Sequence, residues 1–552
     1  MQARNFNVRR FFALSRWVFV LVGGPPALWA CVSHPLAQPR PEPVQQTDVQ
    51  ITIAPVRRLD LLFMIDNSPS MKPKQDKMRE QFPKLIEALR DREEKTLPDM
   101  RIAILDSDLG AALSGQCTNS ELYGDRGVFQ MRDAEGCGAN ADARWLEFTK
   151  GQAVNFTGDV SQVFGCLASN VGVVGCGFEH QLGALIWAFY LEDNKQQLEF
   201  LRSDAYLGIV ILTDEDDCSA PPDTRMFDRK ERGEAWSLRC ATRGHRCDDA
   251  RLEFPTTESL SVPYSTCRAR TDETCDSSQV DTSSATDCNP LLDISEMVSS
   301  IKQLKGGGDE ADEKILVAGI FGRARTADKA EPTYKVGLIP DPTPGVTGEV
   351  YDYWPICFDP DFPPSGSGWD KTAADHGAAG GLRIEAFLNE FPEKSRLAYS
   401  ICESDFGPAM AGIGEALRIK MNNLCVPYRL VDVGDEPGLQ ADCRVAYRIP
   451  RWVTDDGGKG SVVFEESPES LPACDATRTP DCWEVLHGDA NGSKDQKSTA
   501  LRCPAKDGVP SQLVNVVRKP GSTLPDGTRV VMQCLTCVDQ LPGMDPVEGC
   551  DY

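Results

Sequence analysis

Four short apolar runs limit the folds open to this chain of 552 residues. They span residues 59–65, 100–105, 206–212 and 315–320, and a fifth, less apolar run follows at 396–401. Runs this short, with little polar alternation, suit strands buried on both faces, as in parallel sheets. Segments with helical spacing lie between them. Met78, Phe82, Leu85, Ile86 and Leu89 recur every few residues across 71–89, and further helix candidates cover 179–191, 294–304, 382–391 and 408–421. Repeated β–α alternation predicts an α/β fold, a doubly wound, mostly parallel sheet with helices on both faces. It occupies residues 57–433, with cysteine-bearing insertions at 110–176 and 218–288. Short alternating runs at 444–449, 462–465, 513–517 and 529–533 then predict a small disulfide-rich β region over 434–552.

The chain has 21 cysteines. The cytosol keeps thiols reduced, so such a count points to disulfides or to metal clusters. The single CxxC, Cys534 to Cys537, has no second half to complete a zinc site, which favours disulfides. Proximity suggests Cys117–Cys137, Cys166–Cys176, Cys357–Cys402, Cys474–Cys482 and Cys537–Cys550, although spacing alone does not fix connectivity. The six cysteines of 218–288 read as staples on a segment without a core of its own.

An export signal agrees with this reading. Arg4, Arg9, Arg10 and Arg16 precede an apolar run at 17–22 and a second apolar patch ending at Ala30, the layout of a signal peptide over 1–30. The run is too short and broken to span a bilayer as a mature helix. Leu28-Trp29-Ala30-Cys31 resembles a bacterial lipobox, with Trp29 as a departure, and predicts a lipid anchor at Cys31. Setting Cys31 aside leaves 20 of the 21 cysteines, an even number that can all pair. The alternative is plain secretion with cleavage later, near Ala37. Residues 31–56 carry Pro35, Pro39, Pro41 and Pro43 and read as a Pro/Gln-rich tether. The net charge of −25 argues against a nucleic-acid partner, which would need a basic surface.

Ligands of doubly wound sheets bind beyond the carboxyl ends of the strands. Asp66-Asn67-Ser68-Pro69-Ser70 follows the first run, and Thr213-Asp214-Glu215-Asp216-Asp217 follows the run at 206–212. Carboxylates and hydroxyls on two converging loops form an oxygen-only donor set. Such a set suits a hard cation, and a chain with 5 histidines offers little to a transition metal. The plainer reading of the first loop is that Asp66 and the serines cap the following helix. Asp216 and Asp217 read as the top of a solvated loop, and His180 as a local hydrogen-bond partner at a helix start. Asp489-x-Asn491-x-Ser493-x-Asp495 has calcium-loop spacing, but Gly492 and Ala500 break that pattern.

Asp66-x-Ser68-x-Ser70 after a hydrophobic strand, with Leu212-Thr213-Asp214 downstream, resembles the metal-ion-dependent adhesion site of von Willebrand factor A domains. The resemblance runs roughly from 57 to 433 and implies the Rossmann-like fold of that family. Segments 212–218 and 400–405 also look like a group of predicted lipoproteins of myxobacterium-type bacteria. In the family a threonine opens a helix as the third part of the site; here Gly177-Phe178-Glu179 puts Glu179 in that place. The resemblance implies Mg2+, with Ca2+ or Mn2+ as substitutes, held by Asp66, Ser68, Ser70, Glu179 and Asp214. A third carboxylate would hold the ion more tightly and weaken its pull on an acidic ligand; alternatively Glu179 faces solvent and water fills its place. The implied function is a lipid-anchored module of the bacterial cell envelope, exported across the inner membrane to the outer membrane, that binds an extracellular or envelope protein or glycan. The alternatives are a structural envelope scaffold with a resident metal and a metal-assisted hydrolase. HExxH, GxSxG and Walker patterns are absent from the sequence, which argues against an enzyme.

Overall fold

The computed structural model describes residues 45–49, 58–90, 96–110, 124–175, 177–221, 224–227, 236–250, 252, 261–271, 289–328, 333–341, 347–366 and 368–421. Beyond these it describes 426, 429–434, 440–454, 460–475, 481–489, 512–517, 528–537 and isolated positions between them. The signal-peptide and Cys31 expectations lie outside the described residues, as does most of the tether.

Strand side chains alternate between two faces, and here each face meets its own core. Strand β1 (Arg58–Ile65) sends Leu59, Leu61, Phe63 and Ile65 to one side and Leu62 and Met64 to the other. On the first side they pack against helices α1 (Lys72–Leu89), α2 (Val160–Asn170) and α6 (Gly407–Met421). On the second they pack against α3 (Gln181–Tyr190), α4 (Ile294–Gln303) and α5 (Leu382–Asn389). Burial on both faces is why these strands read as continuous apolar runs.

The central sheet has seven strands. β1 lies between β2 (Asp99–Asp106) and β5 (Tyr206–Leu212), and β6 (Ile315–Phe321) and β7 (Arg396–Ser400) continue beyond β5. These five run parallel. Two short antiparallel strands, β3 (Leu146–Thr149) and β4 (Gln152–Ala153), extend the sheet past β2. The strand order reverses at β1, so the chain leaves β1 toward β2 but crosses back to β5 later. A crevice opens at such a switch point, beyond the strand ends.

The insertions are more ordered than the sequence suggests. Residues 110–176 contain β3, β4 and helix α2, which Asp159 caps by accepting from the Ser161 and Gln162 amides. The 218–288 insertion contains the helix Trp236–Gly244, and Leu238 and Ala241 pack with Cys247, Leu252, Tyr264 and Val336. That segment therefore has a core, contrary to the expectation of an uncored excursion. Its apolar residues are too few and too scattered between cysteines to show a period.

Disulfides join Cys137–Cys166, Cys218–Cys240, Cys247–Cys267, Cys357–Cys402, Cys443–Cys534 and Cys474–Cys482. Cys357–Cys402 and Cys474–Cys482 match expectation. Cys117–Cys137 and Cys166–Cys176 do not: the fold of α2 brings Cys166 onto Cys137, 29 residues away. Cys117, Cys176 and Cys550 lie outside the described residues. Beyond the α/β sheet, Cys443–Thr454, Gly460–Glu466 and Arg529–Thr536 form an antiparallel sheet. One of its edge strands is Gln45–Val49, drawn from the stretch read as tether.

Candidate metal centre

The loop after β1 is held open by its own hydrogen bonds. Asp66 Oδ1 accepts from the Ser68 amide at 2.7 Å, and the Ser68 carbonyl accepts from the Met71 amide as a short 3-10 turn begins. This turn sets the Ser68 and Ser70 hydroxyls 3.2 Å apart. The capping role alone is not fulfilled, because neither Ser68 nor Met71 makes a side-chain cap bond to the turn or helix it precedes. Gln75, one turn into α1, donates to the Asp66 carbonyl at 2.9 Å and to the Gly172 carbonyl at 3.0 Å, tying this loop to its neighbour.

The loop after β5 closes from the other side. The Asp66 amide donates to the Leu212 carbonyl at 2.9 Å, so the two strand ends remain in register. Thr213 Oγ1 donates to Asp66 Oδ2 at 2.6 Å and accepts from Gln181 Nε2 at 2.7 Å. Asp214 follows, and its carbonyl accepts from the Ala379 amide at 2.9 Å.

Glu179 reaches the same place from the start of α3. The Cys218 amide donates to its carbonyl at 2.7 Å, and the neighbouring His180 amide donates to the Ser107 carbonyl at the end of β2. The Ser107 hydroxyl donates to Glu179 Oε2. Gly175, on the approach to α3, packs so closely that a Cβ would lie 1.9 Å from Asn67 Oδ1. A larger residue there would have to push the Asn67 side chain aside.

These side chains lie inside the protein. Asp66 is 0% exposed, Glu179 1%, Ser68 2% and Asp214 4%, while Ser70 is half-buried and Pro69 exposed. Glu179 therefore does not face solvent. Burial pushes the Asp66 carboxyl up to about 6, with the Asp214 charge adding to the shift. Burial, and then the charges of Asp66 and Glu215, push Glu179 well above the usual carboxylate range. Glu215 is raised in the same sense by burial, Asp214 and Asp66. Four carboxylates thus repel one another across a small volume.

Two oxygens test whether a cation fits. Glu179 Oε1 and Asp214 Oδ1 are buried and make no hydrogen bond to the protein. Buried acceptors without donors are costly, and a hard cation would satisfy them. Among the described residues, no three His, Cys, Asp or Glu side chains form a metal-holding cluster by themselves. A cation held here would have to draw on hydroxyls as well, for which Ser68 and Ser70 are the candidates.

Sequence reasoning missed Lys74. Its Nζ donates to Asp214 Oδ2 at 2.6 Å, to the Asp375 carbonyl at 2.9 Å and to the Ser70 carbonyl at 3.2 Å. A lysine in the first turn of a helix opposes the helix dipole, and that misfit was the available signal. Asp216 and Asp217 are not on a solvated loop. Asp216 accepts from His245 Nε2 at 2.6 Å and from the Arg383 and Ile384 amides, and Asp217 pairs with the buried Arg383 at 3.1 Å. The first turn of α5 and His245 of the 218–288 insertion supply these partners, a contribution not legible in local spacing. His180 behaves as expected, with Nε2 3.1 Å from the Gly110 carbonyl.

The fold and these strand-end loops define a doubly wound α/β protein with disulfide-bonded insertions and a cluster of buried carboxylates at its switch point. No family model matches the chain, and no curated protein does. Among solved structures it is similar to the pilus adhesin SpaC from Lactobacillus rhamnosus GG, at 9% identity and a TM-score of 0.29, over 92% of this chain and 44% of that one. The chain thus spans less than half of that adhesin. It is also similar to a von Willebrand factor type A protein from Catenulispora acidiphila, at 9% identity and a TM-score of 0.24, over 92% and 68%. Human COPII-coat protein Sec24c aligns at 9% identity with a TM-score of 0.26, over 90% and 46%.

Proposed function

We propose that the chain is an extracellular or envelope binding module whose crevice holds one divalent cation, Mg2+ or in its place Ca2+ or Mn2+. Asp66, Ser68, Ser70, Asp214 and Glu179 would hold it, and the bound ion would supply a fixed positive charge at the strand ends. Two observations support this reading: the Ser68 and Ser70 hydroxyls are paired, and the buried Glu179 Oε1 and Asp214 Oδ1 lack a hydrogen-bond partner. The half-buried Ser70 and exposed Pro69 form the edge through which a protein or glycan partner would approach. Disulfides throughout the described chain fit an oxidising compartment. The lipobox-like Cys31 adds an outer-membrane lipid anchor to the proposal.

A second reading draws on the burial itself. A cation held chiefly by Asp66, Ser68, Glu179 and Asp214, none more than 4% exposed, would be resident and structural, with partners docking elsewhere. Hydrolysis has less support, because His180 is fully buried, bonded to a backbone carbonyl, and pushed by burial down to about 4. Capture of envelope partners with and without EDTA, by wild type and Asp66→Ala, separates the first two. Capture lost in both treatments supports the metal-dependent module. Capture that survives both favours the structural role.

A further inference from the structure

Lys74 is 2% exposed and sits in the first turn of α1, where the helix dipole and the loss of hydration both disfavour an ammonium. Three oxygens hold it there. They come from three separate segments: the β1 loop through the Ser70 carbonyl, the β5 end through Asp214, and the stretch before α5 through the Asp375 carbonyl. An ammonium has three donors, and this cage uses all of them. The cage is clamped shut. The Ala379 amide bonds the Asp214 carbonyl, and the Ala379 carbonyl passes so near Gly322 that a Cβ there would lie 1.6 Å away. Lys74 is thus a fixed part of the site.

Asp214 is shared in a specific way. Its Oδ2 meets the ammonium, while its Oδ1 is buried without a hydrogen-bond partner. The same ammonium also attracts Glu215, which is otherwise surrounded by the negative charges of Asp214 and Asp66. One positive charge therefore stands permanently against a crowd of carboxylates, and it occupies one face of the residue that would bind a cation.

We propose that Lys74 is an internal counter-charge that weakens the crevice's hold on cations and sets which ionic charge it prefers. This rests on the cation reading above. With Lys74 in place the strand ends stay together without a metal, and the remaining negative charge suits a divalent ion. Without it the crevice gains one net negative charge, so every cation binds more tightly and a trivalent ion gains most.

The test titrates Mn2+ and Tb3+ into the full chain, as wild type, Lys74→Met and Lys74→Gln. Near-UV circular dichroism checks the fold, and Lys74→Gln retains a donor for the two carbonyls should Lys74→Met fold poorly. Each variant is expected to bind Mn2+ roughly tenfold more tightly and Tb3+ by a larger factor. Its melting temperature should fall in EDTA and recover with Mn2+ by more than that of wild type, which binds the ion more weakly. Unchanged Mn2+ affinity and an unchanged Tb3+ to Mn2+ ratio in folded variants would overturn the role of Lys74 and leave the cation site standing. Absence of binding in wild type and both variants would overturn the cation reading itself.

Discussion

Lys74 and Asp214 form an ion pair with a 2.6 Å contact between side chains that are each 3% exposed and lie 140 residues apart in the chain. Removing one partner of a buried pair strands the other charge, at a cost of about 3–5 kcal/mol. Asp214→Ala should therefore destabilise the metal-free protein by about that much in chemical denaturation. Adding Lys74→Met to it should recover much of the loss. A double variant no more stable than Asp214→Ala would show that the pair is not what Asp214 contributes.

The buried carboxyls give the metal-free protein a defined pH response. The Asp66 carboxyl is raised from 3.8 to about 6 by burial and the Asp214 charge, so the folded state binds this proton more tightly than the unfolded state. Its contribution is favourable below about pH 4 and is lost as pH rises to about 6, on the order of 3 kcal/mol in all. Glu179 and Glu215 shift in the same direction and extend the loss upward. Urea unfolding in EDTA across this range should show stability falling with rising pH in wild type and a shallower fall in Asp66→Asn. Cation binding at pH 5.5 should release protons, visible as a calorimetric heat that depends on the buffer.

Asp217 and Arg383 hold the turn after β5 to the start of α5. Asp217 also accepts from the Leu182 amide and the Ser219 hydroxyl, and Arg383 donates to the Leu292 carbonyl. Arg383→Met should cost about 3–5 kcal/mol. Asp217→Asn, which keeps the shape and loses the charge, should cost less. Thermal or denaturant unfolding of the two variants checks the order.

Helices α1 and α6 pack tightly at Gly414. A Cβ there would lie 2.6 Å from the Leu85 carbonyl and 2.8 Å from the Ala88 Cβ. Gly414→Val should therefore force the helices apart, at a cost of about 1–3 kcal/mol or more. The site's α1 residues, Lys74 and Gln75, lie at the opposite end of that helix, so cation affinity should change less than stability.

What the sequence reveals depends on how locally each feature is encoded. Strand 206–212 is legible to the residue, because every side chain in it is buried and the run has no polar interruption. The Asp66–Ser70 loop is legible because a buried strand positions it. Helix α2 is missed among cysteines, although Asp159 followed by Val160, Val163, Phe164 and Leu167 is a capped helical pattern. Lys74 and the segment around Asp375–Ala379 are missed for a deeper reason. Their contacts span 140 and 301 residues, and only the closed sheet brings them together. The Cys137–Cys166 bridge likewise depends on where α2 packs rather than on spacing.

The central claim is that hydroxyls and carboxylates from separate strand-end loops share one hard cation. Calorimetric titration of Mg2+, Ca2+ and Mn2+ into wild type and into Ser68→Ala/Ser70→Ala tests it most directly, since the double variant leaves the Lys74–Asp214 pair intact. One binding event in wild type, weakened roughly tenfold or more in the variant, is the predicted result. Equal affinity in both proteins would contradict it.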